Sequence, residues 1–172
     1  MPNWCSNHLT LRHPDPEMIE KVAAAFNEGK LFNSLVPMPE ELRNTTSPSD
    51  QPNADLIAKY GYDNWRDWSI NNWGTKWEAN SEEGAIVEQS ENEIVLVFDT
   101  AWAPPIEFYE TIEDQDWDVR AHYFEPGMMF CGTYEDGDND EFKIGEDEIP
   151  DELEEMFEVS SWIDSDEDEG SK

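Results

Sequence analysis

The amino-acid sequence predicts an α+β fold in which two helices cover one face of an antiparallel sheet. Segments with alternating apolar residues are interleaved with segments in which apolar residues recur every three or four positions, the periods of strands and helices. The net charge of −32, from 42 acidic and 10 basic residues, indicates a strongly negative surface. A folded body is expected beneath it, since 12% of the residues are aromatic and disordered acidic chains are poor in aromatic residues.

The first two elements are a strand and a helix. Residues 4–12 predict a strand with alternating leucines. Asp15 predicts the start of a helix over residues 16–27, because its carboxylate can accept from the free N–H groups of the first turn. Pro16 needs no donor at that position, and Gly29 is a suitable stop.

A tryptophan-rich insertion over about residues 30–82 follows the first helix. Its aromatic residues predict short helices and turns separated by a polar loop. Trp73 and Trp77 lie one helical turn apart and are expected to be buried where the insertion packs on the sheet. The alternative, a platform that stacks bases or a ligand, lacks the basic neighbours that support base stacking.

Three further strands and one helix complete the pattern. The strands are predicted over residues 85–89, 93–98 and 118–124, and the helix over residues 106–112. The order strand, helix, strand, strand, helix, strand is that of the ferredoxin-like split βαβ sandwich. We therefore predict a ferredoxin-like domain over residues 1–134 and a hyperacidic C-terminal extension over residues 135–172.

The extension carries a disproportionate share of the charge. Residues 134–172 hold 18 acidic and two basic residues, which is half of the net charge. A strand is possible over residues 128–134. A helix over residues 150–159 is predicted to have one apolar stripe, and an acidic tail follows from Asp164.

The acidic residues of the extension are the candidate partner-binding surface. On the predicted helix and the residues just before it they would present about one charge per 2.5 Å, which approaches the one per ~1.7 Å of duplex DNA. An ordinary solvated acidic surface is the alternative interpretation. The candidate residues are Asp136, Asp138, Asp140, Glu141, Asp147, Glu148, Asp151, Glu152, Glu154, Glu155 and Glu158.

A calcium loop is considered and set aside. Asp136, Asp138 and Asp140 have the 1-3-5 spacing of such a loop, but Glu141 stands where glycine is required and Asp147 where glutamate is required. The sequence predicts an acidic hairpin loop here, and no metal or cofactor.

Other classes of function receive little support. The chain has three histidines and none of the common catalytic motifs, so we do not expect an enzyme. The absence of a basic patch argues against direct nucleic-acid binding. No apolar run or leader is long enough to indicate a membrane span or secretion, and Cys5 and Cys131 are expected to be buried free thiols, so a cytoplasmic location in the host cell is expected.

Five short motifs run in order through residues 1–134. They are Met1-Pro2-Asn3-Trp4-Cys5-Ser6-Asn7 with Leu9, Leu35-Val36-Pro37-Met38-Pro39-Glu40-Glu41-Leu42, Asn72-Trp73-Gly74-Thr75-Lys76-Trp77, Thr100-Ala101-Trp102-Ala103-Pro104-Pro105 and Phe124-Glu125-Pro126-Gly127. On these motifs the chain resembles a family of small phage and plasmid proteins of unknown function, of which the plasmid YubB proteins are examples. The resemblance implies a ferredoxin-like fold and a mobile-element origin, and it implies no activity.

These observations together predict a phage- or plasmid-encoded DNA mimic. It would occupy the nucleic-acid-binding site of a host defence protein, such as a restriction or CRISPR complex, so its partner would be a basic nucleic-acid-binding host protein. Two alternatives remain open: an acidic chaperone or sequestering partner of a basic protein, and a carboxylate-rich metal-dependent hydrolase.

Overall fold

A computed structural model describes residues 3–163 as a mixed α/β structure with a six-stranded antiparallel sheet. The strand order is β2-β3-β1-β4-β5-β6. The strands are β1 (Trp4–Arg12), β2 (Asn80–Gln89), β3 (Glu93–Ala101), β4 (Asp118–Glu125), β5 (Phe130–Glu135) and β6 (Asp138–Lys143). The helices are α1 (Pro16–Asn27), α2 (Leu31–Leu35), α3 (Glu40–Arg43), α4 (Ala54–Tyr60), α5 (Trp65–Trp73), α6 (Ile106–Glu113) and α7 (Asp151–Phe157).

Two sequence segments fall outside this description. The acidic tail predicted from Asp164 lies beyond the described residues, as do Met1 and Pro2 of the first motif. Among the helices within residues 3–163, none is long and apolar enough to cross a membrane.

The first helix begins where the capping argument places it. Asp15 has an extended backbone, and its carboxylate accepts a hydrogen bond from the N–H of Glu17 at 3.0 Å. Pro16 follows as the first helical residue. The predictions of β1 and α1 are both confirmed, because each rests on a local signal that does not depend on the rest of the chain.

Strand β1 lies in the middle of the sheet and separates its two faces. It pairs antiparallel with β3 on one side and with β4 on the other. Leu9 lies between Leu96 and Ala121 and points to the first face, whereas His8 lies between Val97 and His122 and points to the second.

The first face carries the main hydrophobic core. Helices α1 and α6 contribute Ile19, Val22, Phe108 and Ile112 to it, all nearly inaccessible to solvent. Both helices therefore bury their apolar residues in the same core.

The insertion closes the same core. The indole of Trp73 packs against Phe32 and donates from Nε1 to the carbonyl of Val36 at 2.9 Å. The carboxylate of Glu78 accepts from two backbone N–H groups of the first turn of α2, those of Phe32 and Asn33. These contacts hold the segments of the insertion to one another, and Phe32 joins the insertion to the rest of the core, because its ring packs against Phe98 of β3 and Phe108 of α6.

The expectation that both insertion tryptophans are buried is half wrong. Trp73 is 5% exposed, but Trp77 is 42% exposed and lies against Trp4, with ring centroids 6.3 Å apart. The reason is that Trp73 closes α5 and Gly74, with φ of +89°, ends the helix there. Trp77 therefore does not continue the helical face that the spacing suggested.

The C-terminal extension covers part of the second face. A second apolar cluster consists of Phe124 and Cys131 from the sheet, with Ile144, Leu153 and Val159 from the following segment. Strand β6 extends the sheet, and the division drawn from the sequence between residues 134 and 135 falls inside β5. The acidic segment thus packs directly on the sheet.

The two cysteines are free and buried, as expected. Cys5 lies in β1 and Cys131 lies in β5. Burial is the main cause that raises the pKa of both thiols, that of Cys131 to about 11, so neither is a ready nucleophile near neutral pH.

Candidate interaction surface

A two-residue turn organises the first part of the candidate surface. Asp136 and Gly137 have φ of +51° and +83°, and Glu135 pairs directly with Asp138. Positive φ at both central residues defines the type I′ hairpin turn, for which Asp-Gly is a favoured sequence. The expected acidic loop is therefore shorter than predicted, and the residues after Gly137 belong to β6.

Strand β6 displays acids on both of its sides. Asp138 and Asp140 lie two residues apart and point to one face of the sheet, while Glu141 points to the other face. All three are exposed, and β6 is an edge strand with no neighbour on its outer side among residues 3–163. Charged residues on an edge also hinder pairing with another chain, so these acids protect the edge whatever else they do.

The segment after β6 is fastened to the sheet by backbone hydrogen bonds. Ile144 is buried and its N–H donates to the carbonyl of Met129 at 2.9 Å. Asp147 accepts from the N–H of Lys143 at 2.7 Å, so its carboxylate stabilises a turn. Glu148 is exposed.

Helix α7 is shorter than predicted. It spans Asp151–Phe157, and Glu158 has left-handed φ and ψ of +52° and +47°. The expected helix over residues 150–159 therefore ends two residues early, and Glu158 lies outside it. Residues 159–163 form a separate helical turn.

The apolar stripe of α7 is the part of the helix prediction that holds. Leu153 is completely buried in the second cluster, and Ile149 and Phe157 pack against the same cluster. The exposed acids of the helix, Asp151, Glu152 and Glu155, lie outside this cluster. The sheet therefore determines which side of α7 faces solvent.

Two acids of the candidate set have structural roles inside the protein. Glu152 lies 2.7 Å from Nη2 of Arg120 and 2.9 Å from Nε2 of His122, both in β4. Glu154 is half-buried and accepts from the N–H of Ser160 at 3.0 Å. Pattern reasoning could not identify the partners of Glu152, because Arg120 and His122 lie about thirty residues away in the chain and meet it only through the sheet.

The candidate residues are spread over several elements and over both sides of β6, and they do not form a straight row. Asp147, Glu152 and Glu154 act within the fold, and the other eight candidates present exposed carboxylates. Those eight are Asp136, Asp138, Asp140, Glu141, Glu148, Asp151, Glu155 and Glu158. We call them the acidic surface. Its members come from a turn, an edge strand, a loop and a short helix.

Two of the three histidines are neighbours on the sheet. His8 and His122 lie opposite each other on β1 and β4, with ring centroids 6.2 Å apart. Burial, and next the neighbouring His122, lower the pKa of His8 below its usual value. Within residues 3–163, no group of three or more His, Cys, Asp and Glu side chains is placed to hold a metal ion.

Comparisons with known proteins add little to this geometry. No protein-family profile matches the chain, and no curated protein matches it. Among solved structures, the crystal structure of a protein api92 from Yersinia pseudotuberculosis, of the family DUF1281, is similar to it. The two chains are 14% identical with a TM-score of 0.45 over 87% of this chain and 100% of the other, which is too little to transfer fold or function.

Proposed function

We propose that this chain is a DNA mimic of phage or plasmid origin that occupies the nucleic-acid-binding site of a basic host defence protein. The acidic surface is the element that binds. Lys and Arg side chains that neutralise phosphates in the partner would pair with its carboxylates instead. No catalysis, cofactor or direct contact with nucleic acid is needed for this function.

The observation that carries the proposal is the acidic surface on a packed support. Its eight carboxylates are exposed, and the elements that bear them are anchored by the buried Ile144 and Leu153. Between residues 134 and 163 the sequence contains Lys143 as its one basic residue. Exposed acids at this density repel one another, a cost that a basic partner would relieve.

The experiment is a competition between the chain and duplex DNA. Host proteins that the chain captures would be purified, and the displacement of labelled duplex DNA from each would be measured at several salt concentrations. We expect mutual exclusion and an affinity that falls steeply with salt. Simultaneous binding of chain and DNA would exclude mimicry and favour the acidic chaperone or sequestering function instead.

A pair of charge-reversal variants tests the location of the site. The first reverses Asp138, Asp140, Glu148 and Glu155 to Lys, all in the acidic surface. The matched control reverses Glu20, Glu28, Glu82 and Glu91 to Lys, exposed acids of α1, of β2 or of the turns beside them, towards the edge of the sheet opposite β6. Both variants change the net charge equally.

The two variants are expected to differ in affinity for the captured partner. Exposed pairs are worth about 0–1 kcal/mol each, so four reversals in the acidic surface weaken binding by up to about three orders of magnitude. The control variant should lose much less affinity for the partner, because its substituted residues act on the partner only through long-range electrostatic interactions, which salt screens. Equal losses would mean that overall charge matters and that the acidic surface is not the site.

We infer in addition that β1 to β4 with α1 and α6 form a ferredoxin-like split βαβ unit. The order β2-β3-β1-β4 and the packing of both helices on one face support this inference. The motif resemblance to the YubB-like phage and plasmid proteins supports the mobile-element origin.

A further inference from the structure

An apolar groove lies beside the acidic surface. Ile144 contributes to it and is 6% exposed, while Trp102 and Met128 line it with exposures of 45% and 65%. The groove has a volume of about 610 Å³, and Met129 and Phe130 complete its apolar lining. Such volumes accommodate ligands the size of several side chains.

One wall of the groove is held in a strained backbone conformation. Trp102 has φ of +72°, which is unusual for a bulky side chain. Its N–H donates to the carbonyl of Asn3 at 2.8 Å, and Thr100 on one side donates from Oγ1 to the carbonyl of Ala103 on the other at 2.6 Å. Residues in such conformations persist where the surrounding structure holds them, and they cluster at functional sites.

The opposite wall is held in a similar way. Met129 has φ of +58°, and its carbonyl accepts from the N–H of Ile144. The fully buried carboxylate of Glu125 accepts from the N–H groups of Gly127 and Met128 at 2.7 and 2.9 Å. The exposed apolar side chains are therefore presented on a backbone that is tied down at both walls.

The rim of the groove connects it to the acidic surface. Glu141 and Glu146 line its edge together with Lys143, so the rim has a negative net charge. Glu141 also belongs to the acidic surface. Apolar lining rich in methionine adapts to different side chains, and acids at the edge favour positively charged neighbours.

We propose that this groove binds the apolar side of a basic amphipathic helix of the partner. The Lys and Arg residues of that helix would then reach the rim and the acidic surface, as in helix-in-groove recognition. The proposal rests on the proposed function and specifies it further, because it states which feature of a basic partner is recognised besides charge. Apolar burial would add affinity that salt does not screen.

The test uses two synthetic helical peptides of about 18 residues with equal positive charge. One has Lys on one side and Leu on the other, and the second has Ser in place of Leu. The chain is labelled at its methionine methyl groups, and their NMR signals report where each peptide binds. Met38 belongs to the main core and Met18 packs against it, and both serve as internal references.

We expect the Leu peptide to shift the signals of Met128 and Met129 and to bind about tenfold or more tightly than the Ser peptide at high salt. Met128→Ser should lower the affinity for the Leu peptide and leave that for the Ser peptide unchanged. Met128 is largely exposed, so this variant should fold. Val87→Ser is the matched control, since Val87 is 53% exposed on β2, away from the groove.

The outcomes separate the two proposals. If both peptides bind equally well and Met128 and Met129 do not shift, the groove is not a binding site and the proposed function stands. If neither peptide binds even at low salt, the acidic surface does not bind basic partners, and both proposals fail. If Val87→Ser lowers the affinity for the Leu peptide as much as Met128→Ser does, the apolar contribution is not specific to the groove.

Discussion

Replacement of Leu153 by alanine should release the acidic segment from the sheet without changing its charge. Leu153 is completely buried in the second apolar cluster, where it packs with Phe124 and Cys131 of the sheet and with Ile144 and Val159. Loss of a buried leucine side chain costs about 2–5 kcal/mol through lost transfer free energy and the cavity that remains. The ion pair of Glu152 is exposed and is worth only ~0–1 kcal/mol, so it should not compensate.

The assay is native-state hydrogen exchange followed by mass spectrometry. If the free energy that docks the acidic segment falls by about 2–5 kcal/mol, amide exchange in α7 and residues 159–163 should become faster by roughly thirty-fold to several thousand-fold. The acceleration reaches its limit when the segment is no longer docked. Amides of β1 and β3 should be nearly unaffected, because the buried apolar side chains of these strands, such as Leu9 and Leu96, belong to the main hydrophobic core and not to the second cluster.

Glu152→Gln is the matched control, because it removes the charge next to Arg120 and His122 and keeps the apolar contact. It should accelerate exchange by less than about tenfold. Leu153→Ala should also weaken partner binding although every carboxylate is still present. Unchanged exchange in α7, or equal acceleration in β1 and β3, would refute the idea that the second cluster docks the acidic segment as a local unit.

Three further outcomes follow from the structure. Trp73→Ala should lower the free energy of unfolding by about 3–5 kcal/mol and Trp77→Ala by less than about 1, in urea denaturation, and similar losses for both would contradict their different burial. Burial raises the pKa of Glu78 from 4.5 to about 7, so its protonated form is favoured in the folded state and its contribution to stability falls as pH rises through that range. The stability of Glu78→Gln relative to wild type should therefore rise by about 3 kcal/mol between pH 4.5 and pH 7, and a constant difference would contradict this. Sodium chloride should raise the thermal midpoint by screening the net charge of −32, and a salt-independent midpoint would show that self-repulsion is unimportant.

Local signals in the sequence were sufficient to predict the elements that form the main hydrophobic core. The Asp15 cap with Pro16 predicts α1, and the alternation of Leu9 and Leu11 predicts the buried side of β1. These signals act between residues close in the chain, so they can be interpreted without knowledge of the fold. The total charge and its concentration after residue 134 are likewise properties of the sequence alone.

The tertiary structure decided where the charges and the tryptophans lie. Strand β6 has acids on both sides and no apolar alternation, so only its pairing with β5 makes it a strand. The partners of Glu152 lie on a strand distant in sequence, and the exposure of Trp77 follows from the end of α5 at Gly74. Periodicity describes one element at a time, whereas burial depends on which elements meet across a sheet, and that is a property of the whole chain.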